Sequence, residues 1–376
     1  MYNNLKYFLF SLTLFVIYPA ESQSKYDFSA LHSKIQNWVD KGYYPGVALM
    51  IVRNNVIIDK KIFGNYTPDT EVYIASAGKW LAAATIACVV DEGRLSWSDP
   101  VSKWLPEFKD VKGKATLRQL LSHTSGFPDY QPVTKHRDDY QTLKEAVEQI
   151  VDLPAPFTPG ERFHYGGLAM QVAGRMAEIA TGKDWGTLFR EKIADPLHMK
   201  NTHFTPVDTT PGHSPMLGGG ARCIIGDYIN FLSMISNNGI FEGKKILSAA
   251  VIKEMQADQI ENAQTDSFEF VERMRGLKHS GIYGLGEWRE QLDENGDAVL
   301  ISSPGWAGAY PWIDRTRNVY GFFLTHVDVK GATKDEFSAF YTSPTIVSMV
   351  RDAIDKFDCD KKVTRYHPPG GNKALL

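Results

Sequence analysis

The stretch Ser76-Ala77-Gly78-Lys79 is followed at once by an apolar run from Trp80 to Val90. Residues three apart lie on one face of an α-helix, so this spacing places a hydroxyl and an amine one turn apart. The run Leu81-Ala82-Ala83-Ala84 favours a helix, and Gly93 supplies a stop. The stretch therefore predicts a helix that carries a nucleophile, Ser76, and a candidate base, Lys79, at its start.

A structural alternative exists for this tetrapeptide. Ser76 can be an N-cap serine with Lys79 a solvated lysine of the first turn, and a second Ser-x-x-Lys sequence runs from Ser22 to Lys25. A lysine in the first turn is mildly unfavourable next to the helix dipole, which counts against this alternative. The tetrapeptide by itself leaves both interpretations open.

Further segments follow in a fixed order along the chain. They are Thr116 to Asp129, Pro156 to Tyr165, Thr181-Gly182-Lys183, Asp195 to Met199, Gly218 to Ala221, Tyr283 to Gly286 and Gly305 to Gly308. Together with Ser76 and Lys79, these segments resemble the serine beta-lactamase and penicillin-binding-protein superfamily, in its class C and esterase-like branch. The resemblance covers most of the chain, from about Pro45 to Val327.

The resemblance implies catalytic roles for three side chains. Ser76 would attack a carbonyl and form an acyl-enzyme, and the segment ending at Tyr165 looks like the one that delivers the family's catalytic tyrosine. Either neutral Lys79 or ionised Tyr165 can accept the Ser76 proton, and the sequence leaves this choice open. The resemblance places the oxyanion-binding amides at Ser76 and Trp306. Tyr228, in Tyr228-Ile229-Asn230, matches the Tyr-x-Asn letters better, but it lies in an amphipathic helix and is rejected as catalytic.

Two departures from the family pattern bear on the substrate. Tyr165-Gly166-Gly167 has Gly167 where many relatives have an asparagine, and Ser303-Pro304-Gly305 has Ser303 where they have lysine or histidine. A serine supplies no positive charge for a substrate carboxylate, so beta-lactam or D-Ala-D-Ala turnover loses two supports. Arg222 and Arg315 are candidates to replace that charge. The alternative for Ser303-Pro304-Gly305 is a plain turn into a strand.

Aromatic residues accumulate near these motifs, and Trp306 directly follows the glycine of the late one. An apolar acyl or aryl ester is therefore the favoured substrate. His123, His164 and His203 are not at metal-ligand spacing, and the first two fall in segments whose family roles are structural. The three cysteines, Cys88, Cys223 and Cys359, match no metal site either. We expect neither a metal nor a cofactor.

Composition sets the class of protein. The chain has 376 residues, and 43% of them are hydrophobic, which is enough to form a globular core. Its net charge is only −3, so the composition does not indicate a nucleic-acid-binding surface. Residues 1–24 carry one lysine, an apolar run and then Pro19-Ala20-Glu21-Ser22, which is typical of a cleaved signal peptide. The run is short for a membrane span, so we expect a secreted or periplasmic protein; a retained N-terminal anchor is the alternative.

The pattern of elements predicts an α+β fold of the beta-lactamase/transpeptidase type. A helix is expected over residues 28–41, and strands over 47–52 and 56–63 meet at Asn54-Asn55; strands return at 297–302, 309–314 and 319–327. Both chain ends would thus build one antiparallel sheet flanked by helices. We predict a single domain over 25–358, with its sheet part at about 25–75 and 276–358 and a mostly helical part at about 76–275. A final helix would open at Ser343-Pro344 and end near Phe357, before a polar tail at 359–376.

The sequence thus predicts a secreted serine hydrolase, most simply a carboxylesterase on small or apolar acyl esters. A D-amino-acid amidase or peptidase and a weak beta-lactamase are neighbouring alternatives. A binding or sensory protein that kept the fold without turnover is an alternative of another class. The joint presence of Ser76, Lys79 and Tyr165 favours the enzyme, because a binding protein needs no such combination. The sequence does not specify an oligomeric state.

Overall fold

The computed structural model describes residues 25–129, 142–204, 216–265 and 269–365. The predicted signal peptide (1–24) and the end of the predicted tail (366–376) lie outside these residues. The strands are β1 (Gly46–Arg53), β2 (Val56–Gly64), β3 (Val72–Tyr73), β4 (His203–Phe204), β5 (Ala221–Cys223), β6 (Ile240–Phe241), β7 (Lys244–Lys245), β8 (Trp288–Leu292), β9 (Ala298–Ser302), β10 (Tyr310–Asp314) and β11 (Val319–Thr325).

The helices lie mainly between β3 and β8. They are α1 (Ser29–Asp40), α2 (Gly78–Asp91), α3 (Val101–Trp104), α4 (Leu117–Leu121), α5 (Leu143–Val151), α6 (Leu168–Thr181), α7 (Trp185–Phe189), α8 (Ile225–Ser236), α9 (Ala249–Gln256), α10 (Phe270–Arg275), α11 (Val329–Lys334), α12 (Ala339–Thr342) and α13 (Thr345–Arg365). In the part of the chain described here, no helix is both long enough and apolar enough to cross a membrane.

The predicted sheet from both chain ends is confirmed. Six antiparallel strands lie in the order β2-β1-β11-β10-β9-β8, and β1 near the start pairs with β11 near the end, with Val47 opposite Thr325. The α+β fold class is therefore correct. Strand β8 was not predicted, because its register shifts and its buried Arg289 and Glu290 break the apolar alternation that marks a strand.

The β1–β2 hairpin turns at the predicted dipeptide. Asn54 and Asn55 have φ of 52° and 60°, the left-handed pair that a type I′ turn requires. Asparagine tolerates this region better than most residues, which explains why the hairpin could be read from the sequence.

The sheet is covered on both faces. Helices α1 and α13 pack on one face through Leu31, Ile35 and Ile354, while the helical part packs on the other. In α2 every residue from 78 to 89 is buried. A helix that is buried all round belongs in the centre of a core, so α2, which directly follows Ser76, is packed on all sides.

The end of the chain differs from the prediction. Helix α13 continues to Arg365 instead of ending near Phe357, so the first residues of the predicted polar tail are helical. Within these last turns the Lys361 ammonium lies 4.5 Å from the Phe357 ring one turn earlier, a side-chain pair at the spacing that brings residues together on a helix. Ser343 does not cap this helix: its hydroxyl lies 2.9 Å from both the Gly308 and the Ala339 carbonyl oxygens.

Candidate active site

The serine lies on a tight 3₁₀ turn, Ala75–Ala77, between β3 and α2. Ala75 adopts φ 51°, a conformation that is strained for a residue with a side chain. Gly78 allows close packing, since a Cβ there would lie 2.5 Å from the Ala221 Cβ. The buried Tyr228 hydroxyl donates to the Ala77 carbonyl at 2.7 Å, so Tyr228 supports the turn from below. Ser76 itself is half-buried at the surface of this rigid turn.

Lys79 reaches Ser76 directly. Its Nζ lies 2.9 Å from Ser76 Oγ and donates to the Gly218 carbonyl oxygen at 2.5 Å. The side chain is completely buried, and this desolvation lowers the pKa of Lys79 to about 7. Near neutral pH a large share of Lys79 is therefore a neutral amine, which keeps an N–H for Gly218 and has a lone pair for the serine proton.

Tyr165 approaches the same lysine through its ring. The Lys79 Nζ lies 4.6 Å from the Tyr165 ring centroid. The ring stacks on Trp288 at 5.4 Å and packs against His123 at 4.6 Å. The backbone before it is fixed where the His164 N–H donates to the His123 carbonyl at 2.7 Å. Ser76, Lys79 and Tyr165, distant in sequence, thus form one cluster.

The late motif, Ser303-Pro304-Gly305, packs on the turn that carries Ser76. A Cβ on Gly305 would lie 2.3 Å from the Ile74 carbonyl oxygen, so only glycine permits this approach. The buried Ser303 hydroxyl lies 3.3 Å from both the Ser76 and the Gly286 carbonyl oxygens. Ser303 therefore contacts the backbone of the turn instead of offering a charge to a substrate. The Trp306 N–H donates to none of the described residues, as an oxyanion donor requires.

Gly167 lies at the opposite side of the cluster. Its N–H donates to the Asp129 carbonyl at 2.8 Å, and its Cα is 2.7 Å from where a Cβ on Gly218 would stand. Gly218 is the residue whose carbonyl binds Lys79. At Gly167, where many relatives have an asparagine, this chain therefore has only backbone, and no amide side chain, near Lys79.

The two arginines proposed to replace the missing charge have different surroundings. Arg222 lines a cavity together with Trp306, Tyr73 and His326, and its guanidinium lies 5.4 Å from the Tyr73 ring. Arg315 instead donates to Gln256 Oε1 at 2.6 Å and does not line this cavity. Arg222 is therefore the arginine of the pair that lies beside the active site.

The three histidines considered earlier lie in separate places. His123 is buried against Tyr165; burial, assisted by the positive charge of Lys79, holds its pKa well below the ordinary value. Neither of its ring nitrogens has a partner in the described part of the chain. His164 Nε2 lies 3.9 Å from Asp129, and His203 Nδ1 lies 3.7 Å from Glu71. Within residues 25–129, 142–204, 216–265 and 269–365 no histidine, cysteine and carboxylate cluster is suited to a metal.

Sequence reasoning missed three residues around the cluster. Trp288 stacks on Tyr165, and Tyr73 and His326 form the wall of the Trp306 cavity. For Tyr73, its position three residues before Ser76 could have indicated that it lies near the site. His326 offered none, because it reaches the site only through the pairing of β11 with β1.

Comparison with known proteins gives a consistent assignment. The family model described as Beta-lactamase matches residues 31–340. The crystal structure of a candidate beta-lactamase from Bacteroides dorei DSM 17855 is 54% identical, with a TM-score of 0.84 over 88% of this chain and 99% of that one. A family VIII carboxylesterase is 18% identical and has a TM-score of 0.62, covering 84% of this chain and 97% of its own.

A curated relative, Protein flp of Staphylococcus aureus (strain N315), is 28% identical over 194 residues, which is 48% of this chain. The match spans only 39% of the length of that relative. The family match and the Bacteroides dorei structure, taken with the Ser76 and Lys79 geometry, give one conclusion. The chain belongs to the Beta-lactamase family.

Proposed function

We propose that the protein is a carboxylesterase that hydrolyses small esters through an acyl-enzyme on Ser76, with Lys79 as the base. The observation that carries the proposal is the 2.9 Å approach of Lys79 Nζ to Ser76 Oγ by a fully buried amine. A serine hydroxyl is a poor nucleophile until a group takes its proton, and a desolvated lysine is such a group near neutral pH.

The reaction then follows from the contacts. Neutral Lys79 takes the Ser76 proton while Oγ bonds to the ester carbonyl carbon, and the negative charge moves to the carbonyl oxygen. The amides of Ser76 and Trp306 are the proposed donors to that oxygen. When the tetrahedral adduct collapses, the carbon–oxygen bond to the alcohol breaks and the Lys79 ammonium returns the proton to the leaving oxygen. Water attacks the acyl-enzyme by the same sequence of transfers.

Tyr165 assists Lys79 in this proposal. Its ring face lies 4.6 Å from Nζ, a geometry that attracts the ammonium form present while the serine proton is held. The aromatic packing of Tyr165 against Trp288 and His123 fixes the ring in this place. Its hydroxyl is the second proton carrier that the family resemblance implies.

The two altered motifs favour esters over beta-lactams. Gly167 brings no amide side chain to the lysine, and the Ser303 hydroxyl lies against backbone carbonyls of the turn. Gly167 cannot bind a substrate amide as the usual asparagine would, and Ser303 cannot bind a substrate carboxylate as the usual lysine or histidine would. The carboxylesterase among the structural neighbours supports only the compatibility of this fold with ester hydrolysis, because it is 18% identical.

We also propose that residues 1–24 are removed and that the mature enzyme is secreted or periplasmic. The support is the lysine, apolar run and small-residue pattern of the sequence. Cell fractionation with N-terminal sequencing of the exported protein tests it. A full-length chain retained in a membrane fraction would indicate the anchored alternative.

The central experiment compares wild type and Ser76→Ala on p-nitrophenyl acetate, p-nitrophenyl butyrate and a chromogenic cephalosporin. We expect ester turnover that falls at least about 10³-fold in the variant, with little cephalosporin turnover. Mass spectrometry of quenched wild type should show one acyl group on the peptide containing Ser76. Wild-type rates in the variant would exclude Ser76 as nucleophile, and cephalosporin turnover above ester turnover would favour the beta-lactamase alternative.

A further inference from the structure

A cavity of about 530 Å³ opens beside the nucleophile turn. Its walls include Tyr66, Glu71, Tyr73, Arg222, Trp306 and His326. Tyr73 lies three residues before Ser76, and Trp306 follows Gly305, which packs on Ile74. The cavity therefore lies next to the turn that carries Ser76.

The position of the proton carriers decides which half of a substrate faces this cavity. The leaving oxygen of an ester has to receive a proton from Lys79 or Tyr165. Neither residue lines the cavity. The half of the substrate that enters the cavity is consequently the acyl group and not the alcohol.

The walls are aromatic and flat. Trp306 is 50% exposed, which is unusual for a tryptophan, and its ring meets the His326 ring edge-on at 5.6 Å. The Tyr73 ring lies 5.4 Å from His326 on another side. Aromatic faces gain from offset stacking with another flat ring more than from contact with a puckered one.

His326 adds one directed acceptor. Its Nδ1 lies 3.1 Å from the Tyr73 carbonyl oxygen, which can only accept, so Nδ1 carries the proton. Burial, together with the positive charge of Arg222, lowers the pKa of His326, a shift that favours the neutral ring. Nε2 is then an acceptor, and no partner for it lies among the described residues. Glu71, the acidic group of the wall, lies 3.7 Å from His203 Nδ1.

We propose that this cavity selects a planar aromatic acyl group that carries a hydroxyl, with the ring against Trp306 and the hydroxyl donating to His326 Nε2. The inference rests on the proposed esterase function and names its substrate class. It predicts a preference for hydroxybenzoyl-type esters over saturated or unsubstituted acyl esters of equal size.

The test uses p-nitrophenyl esters with one leaving group and five acyl groups: acetyl, cyclohexanecarbonyl, benzoyl, 3-hydroxybenzoyl and 4-hydroxybenzoyl. Each variant is compared with wild type on each ester, so that intrinsic reactivity cancels. Trp306→Leu keeps the backbone amide and removes the aromatic wall. His326→Asn can still donate to the Tyr73 carbonyl but has no acceptor at the Nε2 position. His198→Asn, at a surface pair with Glu242, is the matched control.

We expect Trp306→Leu to lower the ratio of kcat/KM for the benzoyl esters to kcat/KM for the acetyl ester about five- to tenfold relative to wild type. His326→Asn should lower the preference for the better hydroxybenzoyl ester over benzoyl by about five- to tenfold. If acetyl turnover persists but neither ratio moves, the acyl-group inference is wrong and the esterase proposal stands. If no ester is hydrolysed, both proposals fall.

Discussion

Gly305 and Ile74 are in backbone contact: a Cβ on Gly305 would stand 2.3 Å from the Ile74 carbonyl oxygen. Ile74 lies two residues before Ser76, and Trp306 directly follows Gly305. The β9–β10 connection, which carries the proposed oxyanion donor, is thus positioned by the turn that carries the proposed nucleophile. A shift of one moves the other.

Gly305→Ala should therefore impair catalysis. The added methyl forces the two backbones apart, so we expect kcat on p-nitrophenyl acetate to fall at least about tenfold and stability to fall by about 1–3 kcal/mol. Gly226→Ala is the matched control, because nothing lies within 4 Å of a Cβ at that helical position. Steady-state kinetics and thermal unfolding measure both effects. An unchanged kcat in Gly305→Ala would mean that the contact does not set the oxyanion geometry.

The pH dependence of activity should follow Lys79. Only the neutral amine accepts the serine proton, and burial lowers the pKa of Lys79 to about 7. We expect kcat/KM for p-nitrophenyl acetate to rise with pH through about 7 and to level off above about 8. A rising limb near pH 10, the ordinary range of a tyrosine phenol, would instead point to Tyr165 as the base.

Lys79 should also make stability depend on pH. Its pKa is about 7 in the folded state and has the ordinary value of 10.5 in the unfolded chain. The folded state therefore binds fewer protons between these values, and wild-type stability rises with pH across this window. We expect the free energy of unfolding of Lys79→Met to exceed that of wild type, and this difference should shrink by roughly 2–3 kcal/mol between pH 6 and pH 9.

Urea unfolding at the two pH values measures this difference. Leu81→Met, a non-ionisable change in the same buried helix, is the control and should show no comparable shift. A Lys79→Met advantage that is equal at both values would show that Lys79 keeps the same charge in the folded and unfolded states.

Replacing Tyr165 and replacing Tyr228 by phenylalanine should have different effects, one on kcat and the other on stability. Tyr228 donates to the Ala77 carbonyl at 2.7 Å inside the core, so Tyr228→Phe should lose about 1–2 kcal/mol of stability with little change in kcat. Tyr165→Phe keeps the ring over Lys79 but loses the hydroxyl, and we expect kcat to fall about 10–100-fold with stability nearly unchanged. The reverse pattern would make Tyr228 the catalytic tyrosine.

The strained turn gives a further prediction. At φ 51° the backbone of Ala75 is strained by about 1 kcal/mol, and a glycine would not have this strain. Replacing Ala75 by glycine also raises the entropy of the unfolded chain, which destabilises the folded state by a similar amount. Ala75→Gly should therefore unfold within about 0.5 kcal/mol of wild type, yet with lower kcat because the turn is looser. Ala87→Gly, in the middle of buried α2, should lose about 1 kcal/mol or more. Equal losses in both variants would contradict strain at Ala75.

Local signals in the sequence predicted much of the fold. Asn54-Asn55 identified the hairpin, the apolar run after Lys79 identified the central helix, and the glycine and proline punctuation separated the other elements. These features act over a few residues, so one sequence contains them. Strand β8 was missed because its register shifts interrupt the alternation that marks a strand. The last turns of α13 were missed because their polar composition is also typical of a tail.

For the site, the sequence by itself determined which residues are candidates for the chemistry: a hydroxyl and an amine one turn apart and a tyrosine in its motif. It also identified two motif positions, Gly167 and Ser303, without the usual side chains. Only the tertiary structure decided what those groups become. The amine of Lys79 is suited to the proposed role of base because the surrounding core removes it from water. Ser303 contacts the turn that carries Ser76 because Gly305 reaches Ile74, and His326 joins the neighbouring cavity through a pairing between chain ends. Burial and long-range contact depend on residues hundreds of positions apart, and no local pattern records them.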